Sequence, residues 1–150
     1  MKQLFSTSYN RSLADAWLLL LRVCVAGFMF THGIPKLQKL LAGGDIQFGD
    51  PIGIGVTASF ILIIFAEVVC SSLILLGLLT RFASFVLIIA MSVAAFVRHA
   101  DDPFSRKEPA LLYLLIYITL LVFGPGRYAV DAMLGGGGKG AGKKKPARAR

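Results

Sequence analysis

A chain whose first long apolar run carries an arginine has few folds open to it. From Leu13 to Lys39 the sequence reads LADAWLLLLRVCVAGFMFTHGIPKLQK. The run is long enough to cross a bilayer. Arg22 nevertheless lies inside it, and it ends in Thr31, His32, Gly33, Ile34, Pro35 and Lys36. Charged and titratable groups are costly in hydrocarbon and face a bundle interior or a wet cavity. The run therefore predicts a lipid-embedded bundle with a polar interior.

The rest of the chain agrees. It is 56% hydrophobic over 150 residues, with a mean hydropathy of +0.73, beyond an ordinary soluble domain. The net charge of +8 comes from 16 Lys and Arg against 8 Asp and Glu. Much of it lies at the end of the chain, and the rest flanks apolar runs. That pattern fits a membrane surface, and no nucleic-acid partner is expected. Cys24 and Cys70 both fall in apolar runs, and no Cys/His spacing fits a metal site. The first apolar run starts late and lacks a small-x-small cleavage site, so it reads as a retained span.

Four apolar segments follow one another. The first helix is expected from Leu13 to Lys36, capped by Ser12 or Asp15, with Trp17 at the interface and a kink at Pro35. A Gly/Asp-rich loop leads to a second helix from Ile52 to Leu79, interrupted only by small polar residues and Glu67. A very tight turn at Thr80 and Arg81 starts a third helix from Phe82 to about Val97. Pro109 is placed to open the fourth, ending at Phe123. The expected fold is an all-α membrane protein, an antiparallel bundle of four transmembrane helices. It occupies residues 13–134, after a cytoplasmic arm at 1–12 and before a disordered basic tail at 135–150. Lys2, Arg11, Arg81, Arg127 and the tail lie on one side of such a bundle. On the other side Lys36, Lys39, Arg98, Arg106 and Lys107 are diluted by acids. The positive-inside rule then puts both termini in the cytoplasm.

Helical rise sets the depths of the polar groups. Glu67 falls ~18 Å and His32 ~24 Å from the cytoplasmic edge, with Arg22 ~9 Å in. Arg22, Met29, His32 and Lys36 share one stripe of the first helix at 100° per residue. Glu67, alone among carboxylates inside the second helix, requires a partner or a proton. The candidate polar pocket comprises His32, Glu67, Arg22, Lys36, Tyr113 and Tyr117. His32 is the expected neighbour of Glu67, Arg22 the second choice, and Arg98 and His99 could close the outer side. Interhelical glue is the competing role for such groups.

These residues also fall into known blocks. Arg22 with Phe30-x-His32-Gly33-x-x-Lys36-Leu37 resembles the first helix of the DoxX family. Glu67 followed by Leu76-Gly77-Leu78-Leu79-Thr80-Arg81 resembles its second helix and turn. Glu108-x-Ala110-Leu111-Leu112 and Gly124-Pro125-Gly126-Arg127-Tyr128-x-x-Asp131 resemble its fourth helix and closing motif. The resemblance implies a four-helix protein of the bacterial cytoplasmic (inner) membrane. The family takes its name from a subunit of a thiosulfate:quinone oxidoreductase. A membrane component of a redox system, quinone- or thiol-linked, is thus the expected function. The lipid bilayer and a quinone or partner oxidoreductase are its expected partners, and a homo-oligomer is compatible with it. No flavin, haem or iron–sulfur signature occurs, and no complete catalytic constellation. A non-enzymatic scaffold or small proton-coupled transporter is therefore the alternative.

Overall fold

The computed structural model describes residues 10–135, and within them the chain is all helix with no strand. The expected arm before Asn10 and most of the basic tail lie outside the described residues. Five helices follow in order: α1 Arg11–Ala42, α2 Val56–Leu76 and α3 Thr80–Arg98, α4 Phe104–Phe123 and the short α5 Val130–Gly135. The first three are long and apolar enough to cross a membrane. In α4, Arg106, Lys107 and Glu108 occupy the first turns, and the uncharged stretch begins only at Pro109.

Small residues let these helices approach closely, as packing in lipid requires. Ala26, Ala66, Ala83, Ala95 and Ala110 are buried beside Ser71 and Ser84. Val25 and Met29 of α1, Cys70 and Ile74 of α2, Leu87 of α3 and Tyr117 and Leu120 of α4 complete one core. Trp17, Phe28, Phe96 and Leu115 are exposed on the outer surface, where a bilayer would cover them. At Gly33 the approach is closest, since an added Cβ would lie 2.8 Å from Val68 Cγ2 and 2.9 Å from Glu67 Cβ.

Several boundaries differ from expectation. Asn10, rather than Ser12 or Asp15, caps α1, accepting from the Ser12 and Leu13 N–H groups. Helix α1 runs past the end expected at Lys36 to Ala42, with Pro35 inside it. A proline deletes a single backbone bond, and neighbouring helices can re-satisfy the freed carbonyl. Helix α4 starts at Phe104, so Pro109 lies within it rather than at its head. Asp50 ties down the loop before α2. It accepts from the Ser59 hydroxyl at 2.6 Å and the Gly55 N–H at 2.7 Å, and these bonds hold its carboxyl below the usual range. Two π-helical segments, Phe65–Cys70 in α2 and Ala94–Arg98 in α3, are not visible in the sequence. Such bulges often occur at functional sites.

Candidate functional site

Between α1, α2, α3 and α4 lies a cavity of about 700 Å³. Its polar groups sit toward one end. Lys36 and His32 come from α1, Glu67 from the π segment of α2, and Tyr113 from α4. Met29, Ile63, Ala66, Ala90 and Met91 supply apolar walls. Lys36 Nζ donates to both carboxylate oxygens of Glu67, at 2.5 Å to Oε1 and 2.6 Å to Oε2. Local structure explains the pairing. Gly33 sets α1 against the Glu67 backbone, and Lys36, three residues on, shares that face of α1. The Glu67 side chain is 6% exposed and that of Lys36 28%, and both line the cavity.

His32 meets Tyr113 edge-on, with ring centroids 6.2 Å apart, and Tyr113 stacks on Tyr117 at 6.3 Å. Tyr117 lies beneath, fully buried. Its hydroxyl and that of Ser71 have no hydrogen-bond partner among the described residues. Arg98, His99 and Arg106 stand at the polar end. His99 Nδ1 is 2.6 Å from Asp102 Oδ2, and Arg106 is 3.8 Å from the same carboxylate. The bond to His99, with the nearby arginines, holds the Asp102 carboxyl below its usual range.

Arg22 belongs elsewhere, contrary to the grouping expected from its stripe. It is 1% exposed, and Nη2 donates to the Tyr128 carbonyl at 2.6 Å. Its guanidinium fills the space over Gly77, where a Cβ would collide with Nη1 and approach Ala129 Cβ to 2.6 Å. Gly77 has φ +70° and closes α2, with the Leu78 N–H bonded to the Leu73 carbonyl at 2.9 Å. The segment after α4 folds back over this turn. Asp131 accepts from the Leu79 and Thr80 N–H groups at 2.8 and 3.0 Å, and Asp15 accepts from the Arg127 N–H at 3.0 Å. Burial opposes the charge of Asp131, but the bonds from Thr80 and Leu79, with the charge of Arg22, outweigh it and keep its carboxyl below the usual range. Arg22 on the Tyr128 carbonyl, and Asp131 on the Leu79 and Thr80 N–H groups, thus latch the closing segment to the α2–α3 turn. Cys24 is exposed and Cys70 lies in the core, so the two thiols do not meet.

The DoxX family profile matches residues 17–100. An uncharacterized protein of Haemophilus influenzae is 34% identical over 125 residues, covering 77% of this chain and 88% of the relative. The chain belongs to the DoxX family. No solved structure matches it.

The DoxX match takes in Arg22, His32, Lys36, Glu67, Arg98 and His99, while Tyr113, Tyr117 and Asp131 lie beyond it. Of the expected pocket, the fold brings together His32, Lys36, Glu67 and Tyr113, with Tyr117 packed beneath. The partner of Glu67 is Lys36 rather than His32. The Tyr128 carbonyl that holds Arg22, and Asp131 nearby, belong to the closing Gly-Pro-Gly-Arg-Tyr-x-x-Asp motif of this DoxX protein, which is the sequence signal for that contact.

Proposed function

We propose that this DoxX protein is the membrane component of a quinone-linked redox system, with the cavity beside Lys36 and Glu67 as its quinone site. The ion-paired carboxylate at the end of an apolar cavity of about 700 Å³ carries this reading. Reduction of a quinone to a quinol takes up two electrons and two protons, and a partner oxidoreductase would deliver the electrons. In this reading Lys36 donates a hydrogen bond to a ring oxygen, and Glu67 makes a second charge-assisted bond to the ring, through which a proton passes. In the same reading α4 is a fourth span, in an antiparallel bundle of the cytoplasmic membrane with both termini inside.

The test is quinone binding to the full chain in nanodiscs. Replacing one charge-assisted bond should cost about 1.5–3 kcal/mol. Glu67→Gln should therefore weaken binding about tenfold or more, measured on protein whose helix content by circular dichroism matches wild type. Equal affinity in wild type and variant would remove Glu67 from the site. Absence of binding to wild type would overturn the quinone reading.

The same carboxylate supports a second reading, a small proton-coupled transporter. Proteoliposome uptake driven by a pH gradient, without redox change, would favour it.

A further inference from the structure

The cavity is not fully enclosed. Leu62 and Phe65 of α2 and Ile89 of α3 line it, and 51%, 39% and 50% of their surface is accessible. The backbone explains the gap. Helices α2 and α3 leave the tight turn at residues 77–79 packed together, and the π segment of α2 still packs on α3. Beyond it, Val56–Ile64 packs on α1 rather than on α3. The two arms of the hairpin therefore part at the π segment, level with Glu67. Leu62, Phe65, Val86 and Ile89 beside the gap are apolar, and Ser59, the polar lining residue of that arm, is bonded to Asp50, whereas the cavity beyond ends in Lys36, Glu67 and Arg98.

We infer that this gap is a side door to the bilayer, and that the ligand is an amphiphile with a long apolar chain. It comes in between α2 and α3, sets its polar head at Lys36 and Glu67, and leaves its chain between Leu62 and Ile89. The inference rests on the quinone reading for the identity of the head. It adds the route and the need for a chain. An apolar rim offers nothing to a hydrated solute and matches a hydrocarbon chain.

Two probes test it on the full chain in nanodiscs, a quinone with a long isoprenoid tail and its tailless head. Ile89→Trp fills the door, Leu62→Trp fills it from the other arm, and Leu115→Trp places the same bulk on an exposed face of α4. Either door variant should weaken the tailed probe at least about tenfold, the loss of a few buried chain carbons. The tailless probe should change less than about twofold, and Leu115→Trp should change neither. Equal losses for both probes, or none for either, would overturn the door. Binding of neither probe to wild type would instead indict the quinone reading, and a second measurement then decides the door alone. A bilayer lipid with a photoactivatable acyl chain should label Met91, buried inside the cavity, in wild type but not in the door variants. Labelling confined to the outer surface would overturn the door whatever the head group.

Discussion

Lys36 and Glu67 are worth more together than apart. Removing one member of a buried pair leaves the other desolvated, at a cost of about 3 kcal/mol or more. Lys36→Met should thus lower the stability of the detergent-solubilised protein markedly. Lys36→Met with Glu67→Gln should recover most of the loss, because the remaining amide carries no charge. Chemical denaturation of the three proteins checks this, and a double variant no more stable than Lys36→Met would deny the pairing. Gly33 is the second sensitive position. Its Cβ would meet the Glu67 carbonyl carbon at 3.1 Å as well as two side-chain atoms, and backbone cannot rotate away. Gly33→Ala should cost about 1–3 kcal/mol by overpacking, read by the same unfolding assay, whereas Gly27→Ala, with open space around it, should be nearly neutral. At this scale the sequence marks out the polar residues inside the helices more clearly than it marks their contacts. By depth along the helices His32 is nearest Glu67, but the four-carbon stem of Lys36 carries its ammonium back to the carboxylate. A shared stripe put Arg22 in the same pocket, but a stripe fixes direction only, and Arg22 lies ~21 Å along the helix from Lys36.

The α2–α3 turn shows how one element is held by another. Leu79 has φ +48°, and no side chain from its own segment caps α3. Asp131, delivered by the start of α5, takes that role from far along the chain. Losing a helix cap costs about 0.5–2 kcal/mol, so Asp131→Ala should destabilise by about that amount. The pH dependence follows from the sign of its shift. A carboxyl with its folded-state pKa depressed contributes its full stability above the unfolded value and loses it as pH falls through the folded one. Wild type should therefore lose stability in acid more steeply than Asp131→Asn, as measured by melting temperature across pH 2–6. Parallel curves would contradict the latch. Apolar runs and turn residues made the long helices legible to within a few residues. The π segments were not, because an inserted residue shifts a helix face without altering its hydrophobicity.

For the molecule as a whole, the outer surface reads as lipid-facing and the interior holds a mainly apolar cavity with polar groups at one end. The proposed arrangement places residue 134 and residues 77–79 in the cytoplasm and the loop at residues 43–55 outside. Reporters fused after residues 50 and 134 should therefore show opposite compartments. The same compartment at both would refute four spans. Composition alone made the membrane address legible, and the family blocks made the family so. The chemistry of the cavity was less legible, since it depends on where α2 and α3 part. A quinone with a photoactivatable ring tests the central claim most directly. Bound to the full chain in nanodiscs, it should label cavity residues such as Met29, His32 or Ala66. Excess unlabelled quinone should suppress that labelling, and Glu67→Gln should weaken it. Labels spread over exposed residues such as Trp17 and Phe28, indifferent to competitor, would contradict it.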